Sequence, residues 1–516
     1  MDSFLPGSFP LSSATDLESV EEDLNIFGKV RVNDCILDSS YLELLPITSY
    51  NGDTKEFTFE IPATPLPKYL VLSDIYCSTR VSIVKVAEGS SVEEPVSTKD
   101  NITLADFAPD SLFTKFDTYI GDQTISNSCE HRNIYTHLVR QSSFSKNALN
   151  TYLSIENAAY NGFSADSVDT QSHKKKVGTF ASDDPNTIPV VHLVGILTHD
   201  FNSMKQPLPQ IASLKFHLRR ADDKEVLFGF PAEEELTEEE EAAKAAELVA
   251  EELAKAGQNV AAAAVRVASS TSSEQDNGTD TADAEKKKKK KYSYKLKIVS
   301  ISLLVKRITI SNSLVAKHRQ MFENAGVARY YFYRSISAWF AIPKGVSQFM
   351  SPRLFSASSL PAKIMFVFFE QDRLQGKYNL NIQKYCRPRY LTSVNLSLDN
   401  RNVDAFASVH SENLDDGLDN FLYSRLFMTM GNYYSNTGPP ITKSQFLSDF
   451  FVIMHDLSTA MDTLENALPL IKSGYLKLSL KFSQPTETNY HCLAFASSPS
   501  LLTMDGNAVC AVSYRT

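Results

Sequence analysis

The sequence lacks the features that mark membrane-spanning, secreted and disulfide-stabilised proteins. Among its 516 residues, no apolar run approaches the roughly 18–20 residues that span a bilayer. The N-terminal residues, Met1-Asp-Ser-Phe-Leu-Pro, have neither the basic region nor the long apolar region of a secretory signal, so we expect synthesis in the cytosol. The six cysteines are widely spaced and form no C-x-x-C pair, which argues against a disulfide framework or a zinc site.

The sequence also lacks the short motifs of common enzyme classes. It contains no G-x-S-x-G, no G-x-x-x-x-G-K-[ST] and no H-E-x-x-H. Two adjacent pairs, His199-Asp200 and His455-Asp456, would point to opposite faces of a strand, which predicts structural roles. Cys129 and His131 could supply a nucleophile and a base, but the sequence places no third group beside them. We therefore predict a non-enzymatic protein with no catalytic residues, no cofactor-binding or metal site, and no cofactor.

Negative charge is present but unevenly distributed. The net charge is −10, from 51 basic and 61 acidic residues. The segment Met1–Glu43 holds nine acidic and two basic residues, and the segment Glu233–Glu285 holds fifteen acidic and three basic residues. The rest of the chain therefore carries about +9. A mildly basic body could face nucleic acid, although a charge of this size scattered over about 420 residues is typical of ordinary protein surface.

The second acidic segment belongs to a low-complexity insertion, Pro231–Lys291. A capping box at its start predicts a short helix over Glu238–Ala256, and the Ser/Thr/Asp/Gly-rich part after it is typical of disorder. The insertion ends in six lysines, Lys286–Lys291, which could be a nuclear-import signal, a nucleic-acid patch or a solvated loop. We expect the insertion to form an exposed, largely mobile loop.

Outside the insertion the dominant period is two, which predicts antiparallel strands with one buried face. Segments with this alternation are Glu56–Pro62, Ser213–Arg219, Tyr294–Ile310 and Tyr475–Phe482. The continuous apolar run Lys363–Glu370 predicts a central strand buried on both faces. The 31 Phe and 22 Tyr residues suit pleated surfaces, and the absence of βα alternation disfavours a doubly wound fold.

Helical spacing occurs in a few places between groups of strands. It is found in parts of His131–Asn157, in Ser313–Asn324 with Ser313 as the cap and Gly326 just past the end, and in Asn420–Tyr434. A fourth helix is predicted within Leu457–Lys472. These helices are too few to change the prediction of an all-β fold.

The chain reads as one plan used twice. Phe59-Glu-Ile-Pro62 in the first half is echoed by Phe340-Ala-Ile-Pro343, and Leu66-Pro-Lys68 is echoed by Leu360-Pro-Ala-Lys363. Each half, without the insertion, has the length and strand content of a large β-sandwich. We predict an acidic N-terminal arm (1–44), a first sandwich (45–311, with the insertion 231–291), a linking helix (312–326) and a second sandwich (327–516).

Motifs in a fixed order along about 450 residues carry a family resemblance. They are Ser111–Asp122, His131–Tyr135, Ser213–Arg219, Tyr294–Ile310, Ala316–Arg319, Ala328-Arg-Tyr-Tyr, Gly438–Phe446, Phe451–Leu457 and Leu476–Phe482. In this order the chain resembles the double jelly-roll major capsid proteins of polinton (Maverick) elements and adintoviruses. The insertion and the acidic arm depart from the family's pattern.

The resemblance implies a fold, an assembly and a location. The fold would be all-β, with two tandem upright jelly rolls and a few short connecting helices. Three chains would form a homotrimer with six similar columns, and such pseudo-hexameric capsomers would tile an icosahedral shell in the virion. Partners would be copies of the chain and penton or minor capsid proteins. The resemblance implies nothing about the acidic arm, and our separate hypothesis is that Met1–Glu43 orders against neighbouring chains or cement proteins.

A basic cluster raises the possibility of weak contact with packaged nucleic acid. Lys384, Arg387 and Arg389 are interleaved with Tyr385 and Tyr390, a composition that suits backbone contact with base stacking. An ordinary surface loop can have the same composition. The other basic cluster, 173–176, is also predicted to lie at the surface. A β-sandwich binding or adhesion module that recognises carbohydrate or a cell-surface ligand remains the alternative function.

Overall fold

A computed structural model of the chain describes residues 35–87, 92–158, 171–182, 184, 186–229, 292–324, 326–355, 359–374, 382–403, 416–434, 438–458 and 473–513. The predicted insertion helix, Glu238–Ala256, and the lysine run lie outside the described residues. So does most of the helix predicted within Leu457–Lys472. The helix and the exposed loop expected within the insertion therefore remain predictions.

The first half of the chain contains twelve strands among the described residues. They are β1 (Ile36–Leu44), β2 (Glu56–Ile61), β3 (Lys68–Ala87), β4 (Glu93–Pro95), β5 (Ile102–Leu104), β6 (Phe113–Ile120), β7 (Gln123–Ser126), β8 (Val191–Ile196), β9 (Leu208–Pro209), β10 (Leu214–Arg220), β11 (Leu227–Gly229) and β12 (Tyr292–Ile310). One sheet has the order β1-β12-β3 with β8, β4 and β9 also paired to β3, and the other has the order β2-β10-β6-β7. The short strands β5 and β11 pair with each other.

The two sheets of the first half close over a common core. Phe57, Phe59 and Ile61 of β2 are buried and alternate with more exposed residues, as the period of two predicts. Their neighbours on β10, Leu218 and Phe216, are buried opposite them. These side chains share one hydrophobic cluster with residues of β3 and β12, so the first half is a sandwich.

The second half contains nine strands among the described residues. They are β13 (Ala328–Ile342), β14 (Gln348–Met350), β15 (Lys363–Glu370), β16 (Leu391–Leu398), β17 (Arg401–Asn402), β18 (Val452–Asp456), β19 (Leu476–Phe482), β20 (Tyr490–Met504) and β21 (Cys510–Ser513). One sheet has the order β13-β20-β15-β18 with β21 paired to β20, and the other has the order β14-β19-β16-β17. The apolar run in β15 lies at the centre of its sheet, as predicted, between β18 and β20.

The two halves have the same strand order. In the first half, the strands lettered B to I are β1, β2, β3, β6, β7, β8, β10 and β12; in the second half, they are β13 to β20 in order. With these letters, both halves form one B-I-D-G sheet and one C-H-E-F sheet. This is the arrangement of a jelly roll, in which eight strands form two Greek keys. The predicted fold class, all-β with two tandem jelly rolls and a few short helices, is confirmed.

The helices occupy the connections between strands. They are α1 (Ala108–Ser111), α2 (Arg132–Ser143), α3 (Lys146–Asn150), α4 (Gln171–Phe180), α5 (Asp223–Val226), α6 (Asn312–Glu323), α7 (Gln371–Leu374), α8 (Asp416–Thr429) and α9 (Lys443–Ser448). A capping box opens α9: the Thr442 hydroxyl accepts from the backbone amide of Gln445, and the Gln445 side chain accepts from the backbone amide of Thr442. The linking helix α6 starts two residues before the prediction, with Ser311 rather than Ser313 as its N-cap. The amide of Gly326 closes its end on the carbonyl of Met321 at 2.8 Å.

Two details of the sequence interpretation need correction. Strand β1 pairs with β12 along its length, so residues 36–44 belong to the first sandwich rather than to the arm. Six consecutive residues of β1 are exposed, which is why no alternation marked it. Of the two echoes, Leu66–Lys68 and Leu360–Lys363 both precede strand D, whereas Phe59–Pro62 ends strand C and Phe340–Pro343 ends strand B. The echo between Phe59–Pro62 and Phe340–Pro343 therefore does not join equivalent strands of the two sandwiches.

Candidate functional site and the junction between the sandwiches

Helix α2 of the first sandwich packs into the core of the second. Its side chains Ile134 and Leu138 are buried and belong to the hydrophobic cluster that fills the second sandwich. On the same helix, Tyr135 packs against Phe495, with ring centroids 5.7 Å apart. Helix α2, in the connection between β7 and β8, therefore supplies apolar side chains to the core of the second sandwich.

The second sandwich returns the contact. Tyr330 and Phe332 of β13 are buried in the cluster that fills the first sandwich, and Phe332 lies 4.9 Å from Phe201 between ring centroids. Leu502 and Met504 at the end of β20 join the same cluster. Since each core is completed by residues of the other half, the junction resembles a divided core more than a loose domain contact.

A buried ionic network supports α2 from beneath. The guanidinium of Arg132, which is 2% exposed, is paired with Asp110, and its Nε donates to the carbonyl of Thr198 at 3.0 Å. The second oxygen of Asp110 accepts from the backbone amide of Thr198 at 2.9 Å. Arg140, two turns further along α2, is 2.6 Å from Glu156. Because buried charges are costly without partners, this network fixes α2 in one position.

Neutral hydrogen bonds cross from this network to the second sandwich. The ring Nδ1 of His137 lies 2.7 Å from the hydroxyl of Tyr385. Burial is the first cause of the lowered pKa of His137, which is about 4, with a smaller contribution from Lys176 in the same direction. The imidazole is therefore uncharged at neutral pH.

Asp200 forms a second buried link. Its carboxylate accepts from the hydroxyl of Ser126 on β7. It also accepts from the backbone amide of Ser335 on β13 at 2.9 Å and from the Ser335 hydroxyl at 2.7 Å. Burial raises the pKa of Asp200, and these hydrogen bonds oppose the rise. One carboxylate thus ties an edge of the first sandwich to the second.

A third link involves Asp106 at the other end of the junction. Its backbone amide donates to the side chain of Gln383 at 2.9 Å, and the Gln383 amide donates back to the Asp106 carbonyl at 3.1 Å. The Asp106 carboxylate is paired with Lys176. Lys176 is therefore buried, which corrects the prediction that all of the basic cluster 173–176 lies at the surface.

The predicted His-Asp pairs have structural roles. His199 and Asp200 do not lie on a strand: a 3₁₀ turn begins at Asp200, and the His199 ring accepts from the amide of Phe201 at 3.2 Å as its cap. The premise of opposite strand faces is therefore wrong for this pair. His455 and Asp456 do end a strand, β18, where Asp456 accepts from the amide of Ser458 at 2.9 Å.

Cys129 and His131 are not set up as a nucleophile and base. Burial raises the pKa of the Cys129 thiol to about 12, so the thiol stays protonated at neutral pH. Burial also lowers the pKa of His131. Within the described ranges, no three His, Cys, Asp or Glu side chains lie together in a way that could hold a metal ion. In that same part of the chain, no helix is long and apolar enough to cross a membrane.

The basic cluster around Tyr385 is neutralised by acidic partners. Lys384 is 2.6 Å from Asp449, and Arg387 is 2.8 Å from Asp419. Arg389 is 3.0 Å from Glu487, which also accepts from the Tyr390 hydroxyl at 2.8 Å. Tyr385 is fully buried at the junction, so its ring is not available for base stacking. The nucleic-acid interpretation of this cluster is therefore not favoured.

Sequence reasoning missed the junction residues, although two signals were present. Arg132 and Arg140 are spaced eight apart on a helix whose apolar positions, Ile134 and Leu138, are spaced four apart. An arginine beside an apolar stripe can be buried or can extend to solvent, so only the position of Asp110, 22 residues earlier, decides between the two. That position depends on the tertiary fold.

Comparison with known proteins shows likeness in structure and not in sequence. No protein-family model matches the chain, and no curated protein matches it. A chain of the Sputnik virophage, from its cryo-EM structure at 3.5 Å, matches with a TM-score of 0.57 and 13% identity, over 99% of this chain and 94% of that chain.

A second match is the faustovirus major capsid protein. It has a TM-score of 0.50 and 7% identity, and the match covers 96% of this chain and 94% of that chain. Because both matches run over nearly the whole of each chain, they include both sandwiches and the junction. The chain thus has the double jelly-roll fold found in viral major capsid proteins.

Proposed function

We propose that this chain is a structural major capsid protein that self-assembles into the shell of a virus-like particle. The observation that carries the proposal is the pair of complete jelly rolls joined by a reciprocal, buried junction, matched over 99% of the chain by a virophage protein. A building block of a shell must hold its shape under load from its neighbours. Two cores that each contain the other's side chains supply that rigidity.

The assembly that we propose is a homotrimer with a pseudo-hexameric outline. Three chains with two similar jelly rolls each would give six columns around one axis. The outermost strands of the B-I-D-G sheets, β1 and β13, carry exposed apolar side chains: Ile36, Leu37 and Tyr41 on β1 and Trp339 on β13. Exposed apolar patches and unpaired strand edges favour association, so we place lateral contacts on these edges.

Within this proposal the chain divides much as the sequence indicates. An acidic N-terminal segment precedes β1, and residues 36–311 form the first jelly roll, which includes the insertion 231–291. Residues 312–326 form the helix that links it to the second jelly roll, residues 327–516. The first boundary moves from 44 to before Ile36, because β1 pairs with β12. Penton or minor capsid proteins are the further partners that we propose, with the virion as the location after synthesis in the cytosol.

The finer assignment to the polinton or adintovirus type rests on sequence. The order of motifs from Ser111–Asp122 to Leu476–Phe482 supports it. It would be tested by purifying particles from cells that carry the element and identifying this chain in them by mass spectrometry.

The central test is the assembly state of the full chain. Size-exclusion chromatography with light scattering should give three times 57.5 kDa, and negative-stain microscopy should show particles with a hexagonal outline. Tyr41→Asp and Trp339→Asp should each shift the population towards monomer, because a buried unpaired charge opposes association. The control is Arg401→Asp, at an exposed position of β17, which is an edge strand of the C-H-E-F sheet. A persistent monomer that binds glycans would support the adhesion module instead.

A further inference from the structure

An apolar cavity lies beneath the linking helix α6. Its volume is about 650 Å³, and its walls include Tyr69, Ile310, Leu314, Met321, Phe322 and Tyr330. Met321 is 65% exposed and Val327, also in the wall, is 46% exposed. A cavity of this size falls within the range of specific binding sites, and exposed apolar walls of this kind favour an occupant that removes them from water.

The described chain begins at the rim of this cavity. The backbone amide of Ser311, the N-cap of α6, donates to the carbonyl of Cys35 at 2.9 Å. Ile36 is paired with Ile310, and Ile310 is part of the cavity wall. Strand β1 is antiparallel to β12, so Cys35, the first described residue, lies at the end of β1 that is next to Ile310 and the start of α6. Residues 1–34 therefore join the described chain beside the cavity.

These residues have the composition of an occupant. Residues 1–34 hold seven acidic and two basic residues, and Leu24-Asn-Ile-Phe27 directly follows the acidic run Glu21-Glu22-Asp23. Three large apolar side chains thus stand next to three carboxylates. The segment could cover an apolar cavity and meet a basic rim at the same time.

Basic side chains lie in and near the cavity wall. Arg329, at the start of β13, is part of the wall and is exposed. Lys317 and Arg319 are exposed on α6, the helix whose Leu314, His318 and Met321 line the cavity. Among the described residues, no acidic side chain lies within 4.0 Å of these three groups. Glu323 on α6 is the acidic group that accompanies them on that helix, so the surface around the cavity is basic on balance. Acidic residues are attracted to such a surface most strongly at low salt.

The connecting chain is long enough. Seven residues lie between Phe27 and Cys35, which makes eight residue-to-residue steps, and an extended chain covers up to roughly 3.3 Å per step, or about 26 Å in total. The twelve residues of α6 span about 18 Å at 1.5 Å per residue. Phe27 can therefore reach any point along the helix of its own subunit.

We propose that Leu24–Phe27 docks in the cavity under α6 of the same chain, with Leu24, Ile26 and Phe27 against its apolar wall and Glu21–Asp23 facing Lys317, Arg319 and Arg329. The docked segment covers Met321 and ties the N-terminal segment to the linking helix. This contact is internal to one subunit, so it goes beyond the proposed capsid function and does not depend on it.

Disulfide trapping in the full-length chain tests the proposal. The background variant is Cys35→Ser, because Cys35 is the exposed cysteine nearest the segment. Phe27→Cys and Met321→Cys are added to it. Met321 is largely exposed, so the cysteine there should be tolerated. Under mild oxidation we expect an intrachain disulfide at a yield at least ten times that of the control pair.

The control pair combines Phe27→Cys with Trp339→Cys. Trp339 lies on the same strand as Ala328 of the cavity wall, eleven residues further along, which is about 36 Å away. Charge reversal with Lys317→Glu and Arg319→Glu should slow trapping several-fold at low salt and have little effect at high salt. Equal trapping of both pairs would overturn the proposal.

Two other outcomes also overturn it. Crosslinks only between chains would mean that a neighbour's segment fills the cavity, and no crosslink at all would mean that something else does. Electron microscopy of the same samples reports trimers separately. Absence of the crosslink in hexagonal trimers would overturn the docking and leave the capsid function standing. An intrachain crosslink in a persistent monomer would support the docking and contradict the proposed capsid assembly.

Discussion

The two jelly rolls share one strand order but differ in what joins their strands. In the second sandwich the chain passes from Phe482 to Tyr490 in a short connection between strands H and I. In the first sandwich the corresponding connection, from Arg220 to Tyr292, holds the insertion Pro231–Lys291. The order of strands depends on backbone pairing and shared cores, whereas a connection at the surface can grow without disturbing either. The same plan therefore tolerates both lengths.

The junction shows a second difference between the halves. Its buried ion pairs, Arg132 with Asp110 and Arg140 with Glu156, are internal to the first sandwich. The second sandwich contributes neutral side chains to the bonds that cross, namely Ser335, Gln383 and Tyr385. The first half thus pairs its own buried arginines, and docking of the second half adds apolar contact and hydrogen bonds, two of them to the Asp200 carboxylate. The predictions below test this division of roles.

The largest effect should come from Arg132→Met. It leaves the carboxylate of Asp110 buried without its main partner, which costs about 3–5 kcal/mol. The free energy of unfolding in urea should fall by that amount, measured by circular dichroism. Arg389→Met removes an ion pair whose side chains are 69% and 49% exposed, so its effect should be much smaller, because solvent screens exposed charges. Equal losses would contradict the buried network.

Leu138→Ala should destabilise the second sandwich although the residue belongs to the first. The cavity left in the second core should cost about 2–5 kcal/mol, and hydrogen exchange should quicken in β18 and β20. Leu218→Ala, in the first sandwich's own core, is the matched control and should quicken exchange in β2 and β6. If Leu138→Ala instead loosened only the first sandwich, the reciprocal packing would be wrong.

Acid should weaken the junction through His137. Its pKa is lowered to about 4 by burial, against about 6.5 in an unfolded chain. Its contribution to stability is therefore complete above pH 6.5 and is lost as the pH falls towards 4, by roughly 3 kcal/mol at 1.36 kcal/mol per pKa unit. His137→Asn, which can keep a hydrogen bond to Tyr385, should flatten the slope of unfolding free energy between pH 6.5 and 4.

The comparison of slopes isolates His137 from its neighbours. The raised pKa values of Asp200 and Glu156 act in the opposite direction, since protonation of these buried carboxylates favours the folded state as the pH falls. Both groups are present in the variant and in the native chain, so they cancel in the difference. An unchanged slope in His137→Asn would mean that the imidazole titrates normally.

The smallest effect should come from the insertion. Deletion of Glu233–Glu285 should leave a soluble, folded trimer, with a change in unfolding free energy below about 1 kcal/mol, because loop closure depends weakly on length.

The short connection of the second sandwich should behave differently. There the Thr486 hydroxyl donates to the Pro343 carbonyl at 2.9 Å and accepts from the Val346 amide at 3.2 Å. Thr486→Val should cost about 1–3 kcal/mol. If deletion of Glu233–Glu285 abolished folding, the long connection of the first sandwich would be the one that the fold depends on.

Much of the fold was predictable from the sequence, because alternation reports a sheet face directly. Phe57, Phe59 and Ile61, and likewise Leu214, Phe216 and Leu218, are buried as their spacing indicates. Some of the strands that the pattern did not predict leave little trace in the sequence. Strand β1 is exposed along most of its length, and β14 and β17 have three and two residues. Edge and short strands bury too little surface to leave a period.

The sequence by itself determined the class of fold, the duplication of one plan and the location of the acidic segments, since these depend on local periodicity and composition. Only the tertiary structure decided which charged residues are buried and what they bind. Lys176 and Arg132 look like surface groups in the sequence, and both are enclosed by partners distant along the chain, Asp106 and Asp110. The free energy of a charge depends on the groups around it in space, and that environment exists only once the chain has folded and brought distant residues together.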